Sequence, residues 1–199
     1  MRHRPRWGLL TLGAIGVAVL FAYPLWRTVF TGGRQQIPFQ LVSPDQRRVL
    51  LEQPDRDLAA TAYVSILTVV PVPPEVAPPP VPADAAIILS GRFTTIDAVH
   101  NAAGTVRIYR LRDDSVIMRF DEFKITNAPG LKVFLSSNEE VKTLADLSGV
   151  TSEWEAGLLA GTDGAQQFVI PRELPLSSYR TVVIVSEPLG QIYTVAPLK

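Results

Sequence analysis

The sequence predicts an all-β outer domain, an antiparallel β-sandwich or barrel, preceded by an N-terminal transmembrane helix and a short helical neck. Three observations carry that reading. The chain opens with an uncharged apolar run of bilayer-spanning length, a proline-rich stretch interrupts it midway, and from Ile87 strand-length β-rich runs alternate with turn residues.

The first segment is residues 1–34. Trp7 to Trp26, WGLLTLGAIGVAVLFAYPLW, contains no charged residue, and a helix of that length rises about 30 Å, the hydrocarbon thickness of a bilayer. Arg2, His3, Arg4 and Arg6 precede it, against Arg27 and Arg34 after it, so the positive-inside rule leaves the N-terminus cytoplasmic and the remainder extracytoplasmic. Trp7, Tyr23 and Trp26 stand where interfacial anchors belong. A cleaved signal peptide shares the basic start and apolar run, but no small-x-small cleavage site follows, and Phe21, Tyr23, Leu25 and Trp26 fill those places. The expectation is an uncleaved signal anchor in contact with the lipid bilayer through Trp7–Trp26.

Residues 35–68 read as a helical juxtamembrane neck. Ser43 followed by Pro44 predicts an N-cap and a proline in the first turn, and Asp55 restarts a second helix after the break at Pro54. Residues 69–86, VVPVPPEVAPPPVPADAA, hold seven prolines. Proline fixes φ and favours an extended polyproline form, so this segment is expected to be a semi-rigid stalk.

Residues 87–199 form the outer domain. IILSGRFTTI, GTVRIYRL, SVIMRFDEFKI, LKVFL, AQQFVI, RTVVIV and QIYTVA each have strand length, and HNAAG, RDDS, NAPG and AGTDG separate them. Val116, Met118 and Phe120 alternate with Ile117, Arg119 and Asp121, the period of a half-buried strand. Only EEVKTLADL, from Glu139, suggests a helical turn or two. Phe93, Phe120, Phe123, Phe134, Trp154 and Phe168 are the expected core, and Gly130 and Gly164 the expected positive-φ turns.

Charge and composition then limit the chemistry. All 19 acidic residues follow Arg34, whereas five of the 19 basic residues lie at or before it, so the outer part is net acidic. Nucleic acid, which demands a concentrated basic face, is excluded as a partner. The chain contains no cysteine, hence no disulfide, thiolate metal site or thiol nucleophile.

In order along the chain, GRFTTIDAVHNAAGTVRIYRL, FDEFKITNAPGLKVFLS, GTDGAQQFVIP and YRTVVIVSEPLGQIYTVAPL resemble the DM-thirteen domain family, extracytoplasmic β-domains often found beside DOMON domains. The resemblance spans about residues 87–198. Its most specific pieces are Phe120, Phe123, Asn127, Pro129 and Gly130, the Gly164–Pro171 stretch and the closing strand pair. It implies electron transfer centred on a cysteine near the domain's C-terminal end. This chain places Ser186 at that position, and a serine hydroxyl supports neither thiol redox nor haem-thiolate ligation.

His100, in AVHNAAG, matches a histidine of the family and is the one histidine after the apolar run. As a neutral imidazole it is a candidate ligand for haem, with Met118 as a formal second ligand, or for another cofactor. The competing reading makes His100 a turn residue and Met118 core. No Gly-x-Ser-x-Gly elbow is present, and neighbouring carboxylates such as Asp113-Asp114, Asp121-Glu122 and Glu139-Glu140 point to opposite faces of a strand, so no catalytic residue and no metal set is assigned. A calcium loop around Thr162-Asp163-Gly164 lacks EF-hand spacing. Two functions follow: a binding or structural module of the cell envelope, with an envelope protein or polysaccharide as partner, or an electron-transfer domain binding a redox cofactor such as haem with His100 as ligand, Ser186 standing at the position of the family cysteine.

Overall fold

The computed structural model describes residues 42–67, 77–97, 99–148 and 153–199. The expected Trp7–Trp26 span lies outside the described residues, and among those described no helix is long and apolar enough to cross a membrane. Helix α1 (Pro44–Glu52) begins as the sequence dictates, with Pro44 in the first turn and the Ser43 hydroxyl accepting from the Gln46 N–H. Pro54 ends that path, and helix α2 (Arg56–Leu67) restarts where the Asp55 carboxylate accepts from the N–H groups of Asp57 and Leu58.

The outer domain is a sandwich of two four-stranded antiparallel sheets. Strands β1 (Ala86–Arg92), β2 (Ala102–Arg110), β3 (Val116–Ile125) and β6 (Asp163–Ile170) form the first, in the order β1-β2-β3-β6. Strands β4 (Leu131–Ser136), β5 (Glu153–Leu158), β7 (Thr181–Ser186) and β8 (Gln191–Pro197) form the second, in the order β5-β4-β7-β8. Bridges from Gly91 to Leu198 and from Thr94 to Val195 pin edge strand β1 to edge strand β8. One side of the sandwich is therefore stitched by backbone bonds, part-way to the barrel alternative.

Between the sheets Val106, Ile108, Met118, Phe120 and Phe123 meet Leu131, Val133, Leu135, Val182, Ile184 and Tyr193, all fully buried. Phe93 packs edge-on against Phe120 and Phe123, with ring centroids 4.8 and 4.9 Å apart. Trp154 and Phe168 sit partly buried at the margin of this core. Phe134, expected inside, lies on the outer face of the second sheet, because alternation along β4 turns Leu131, Val133 and Leu135 inward. There a second cluster forms with Val141, Leu147, Val183, Val185 and Ile192 under the short helix α3 (Leu144–Ser148). Strand β7 is thus covered on both faces, which is why TVVIV reads as an unbroken apolar run. Gly130 and Gly164 have φ of 58° and 96°, as their turn positions require.

Strand β5 was not expected. Its Glu-Trp-Glu-Ala-Gly-Leu sequence has little β-branched character, and pairing with β4 at the sheet edge makes it a strand. Helix α2 is part of the same interior: Ala59 and Ala60 are buried in the main core cluster with residues of both sheets.

Candidate functional site

Ser186 ends β7, opposite Leu131 on β4 and Gln191 on β8. It is fully buried, and its hydroxyl donates to the Pro129 carbonyl at 2.6 Å. That bond holds the turn before β4 against the end of β7. Nothing about the position exposes a reactive group.

His100 sits in the connection from β1 to β2, which Asp97 organises. One Asp97 oxygen accepts from the N–H groups of Val99 (2.8 Å) and His100 (2.6 Å), and the other accepts from His100 Nδ1 at 2.7 Å. These bonds, led by the backbone N–H of His100, lower the Asp97 carboxyl to about 2. An ionised carboxylate only accepts, so Nδ1 carries a proton. The Nε2 atom is buried and has no hydrogen-bond partner. It lies 3.9 Å from an Asp57 carboxylate oxygen on α2.

The imidazole packs edge-on against Tyr193 of β8, with ring centroids 4.8 Å apart. The Tyr193 hydroxyl is likewise buried and unpartnered, and burial, followed by the charges of Asp57 and Asp97, pushes its ionisation upward. Gln191 Nε2 donates to Asp57 at 3.3 Å, while its Oε1 is buried without a partner. Asp57, Asp97, His100, Gln191 and Tyr193 thus form one polar cluster between α2 and the sandwich. Ser186 belongs to a separate hydrogen bond, and only its pairing with Gln191 relates it to the cluster.

Sequence reasoning singled out His100 but not its companions. The Asp97-x-x-His100 spacing is a local turn signal that could have found Asp97. No local pattern links Asp57 to His100 across the proline-rich stretch. Met118 is buried between the sheets as core, and the other carboxylates are engaged elsewhere: Asp113 with Ser115, and Asp121 with Arg107 and Arg119. Among the described residues no three of His, Cys, Asp and Glu group to hold a metal.

A haem does not fit His100 in this arrangement. The approach to Nε2 is taken by Asp57 at 3.9 Å, the ring is flanked by Tyr193, and the imidazole side chain is only 9% exposed. The surface cavities lined by Pro44, Arg47 and Leu51 on α1, or by Pro78, Leu158 and Phe168, do not touch it.

A family model described as Electron transfer DM13 matches residues 92–198. No curated protein and no solved structure matches the chain.

Proposed function

The chain belongs to the Electron transfer DM13 family, and on that premise we propose that it is a single-pass membrane protein presenting its DM13 sandwich outside the cytoplasm as a binding or structural module of the cell envelope. The observation that carries this reading is the state of Ser186: buried, hydrogen-bonded to Pro129 and in a chain without cysteine. Thiol redox has no atom to use there, so the domain's work falls to its surfaces. The membrane assignment is supported by the uncharged Trp7–Trp26 run and the basic residues before it.

The family description favours a second reading, electron transfer through a bound cofactor at His100. The test is an absorption spectrum of the full chain purified in detergent after expression with haem supplied. The binding-module reading expects no Soret band. A Soret band that disappears in His100→Ala would establish the electron-transfer reading in its place. A C-terminal alkaline phosphatase fusion, active only beyond the cytoplasm, tests the topology.

A further inference from the structure

His100 stands between two carboxylates that belong to different parts of the chain, Asp97 of its own connection and Asp57 of α2. We propose that it is a pH-operated latch: protonated at Nε2, the ring bridges α2 to the sandwich, and as a neutral ring it loosens that hold.

The first argument is how the ring is held. Nδ1 is committed to Asp97 at 2.7 Å, so the proton that the ring gains or loses is the one at Nε2. That atom is buried, has no hydrogen-bond partner and faces an Asp57 oxygen at 3.9 Å, which is too long for a hydrogen bond. In the neutral ring a lone pair opposes a carboxylate, and nothing joins the two. In the charged ring an N–H points at that carboxylate. The Asp57 side chain is half exposed, so it has room to close to about 2.8 Å, the length of a charge-assisted bond.

The second argument is the sign of the surroundings. Asp97 faces the ring from the connection between β1 and β2, and Asp57 faces it from α2. From β8 come the neutral Gln191, bonded to Asp57, and Tyr193, whose ionisation burial pushes upward. Among the described residues neither carboxylate pairs with a lysine or arginine. Burial of a ring side chain only 9% exposed opposes the charged form, but two carboxylates face that single charge, so closure belongs to the acid side. Carboxylates ionise well below the range of about pH 5 to 8 in which an imidazole changes charge, so in this cluster His100 alone switches there. The seat of α2 is sensitive to such a contact, because Ala59 and Ala60, which it buries in the core, offer little apolar area. The latch is independent of whether the domain is an envelope-binding module, since it joins two parts of one chain.

The test is amide hydrogen exchange of the full chain in detergent at pH 5.5 and pH 8.0, with each rate taken relative to its intrinsic value. Protection of α2 should be roughly 3- to 10-fold lower at the higher pH, the scale of one charge-assisted bond to a half-exposed partner, while β7 stays unchanged. His100→Gln should hold α2 at the weaker protection at both pH values. Asp57→Asn keeps an acceptor for Gln191 and removes the charge, so it should abolish the pH dependence whatever it does to the absolute level; being half exposed, it serves as the test if His100→Gln fails to fold. Protection of α2 that does not change with pH in a wild-type chain with native circular dichroism overturns the proposal. So does protection that rises toward pH 8.0, or a pH dependence that survives in Asp57→Asn.

Discussion

At Ser186 a hydroxyl bonds a carbonyl 2.6 Å away in a site without solvent, so the residue acts on stability. Ser186→Ala removes the donor and leaves the Pro129 carbonyl unsatisfied, at a cost of about 1–3 kcal/mol, measurable by urea denaturation. Ser186→Cys restores the residue that the family resemblance implies, yet the thiol is enclosed by β4 and β8. It should react with a thiol reagent only as the protein unfolds, because buried apolar surroundings keep a thiol protonated and inaccessible; rapid labelling of the native variant would contradict this. Gly91 is constrained for a different reason. A Cβ there would stand 2.4 Å from the Pro197 carbonyl oxygen, at the stitch between the two sheets. Neither atom is on a flexible side chain, so Gly91→Ala should cost about 1–3 kcal/mol by forcing β1 from β8, seen as a lowered denaturation midpoint.

At the level of elements, strands with clear alternation or dense β-branching were legible in the sequence, as β3 and β7 illustrate. The edge strand β5 was not, since pairing supplies what its composition lacks. The side of the sheet to which Phe134 turns was hidden for a related reason: the cover after β4 includes the short helix α3, whose five residues are too few to show a periodicity. That cover depends on Asp146, whose carboxylate accepts from the N–H groups of Lys142 (3.0 Å) and Thr143 (2.7 Å). These bonds, Lys142 first, hold its pKa below the ordinary carboxylate value. A depressed folded value means that the stabilisation is complete above the unfolded pKa of about 4 and fades as pH falls through the lower folded value. Protection of the amides in residues 139–148, taken relative to their intrinsic exchange rates, should therefore fall below about pH 4, and Asp146→Asn should flatten that response. The proline-rich segment has its own anchor. Arg119, oriented by Asp121, donates to the Pro79 carbonyl at 2.8 Å. Arg119→Ala should release residues 77–82 to faster proteolysis while leaving the sandwich folded.

Across the whole molecule the family match and the folded unit do not share a boundary. The match begins at Arg92, yet Ala59 and Ala60 of α2 are buried with Phe93, Tyr193 and the strands of both sheets, and Asp57 of the same helix meets Gln191 and His100. The sequence disclosed α2 as a helix through Asp55 after the break at Pro54, but not its seat, because two alanines carry no signal of what they face. Small residues at a contact let backbones approach closely and leave no space for anything larger. If α2 belongs to one cooperative unit with the sandwich, Ala59→Leu must overpack that unit and cost about 1–3 kcal/mol. For a domain of this size each kcal/mol lowers the melting temperature by roughly 2–4 °C, and the transition should stay single. A merely tethered neck would absorb the same substitution with no shift at all, so a calorimetric scan of Ala59→Leu against wild type decides whether the helices are a spacer before the family domain or a working part of its core.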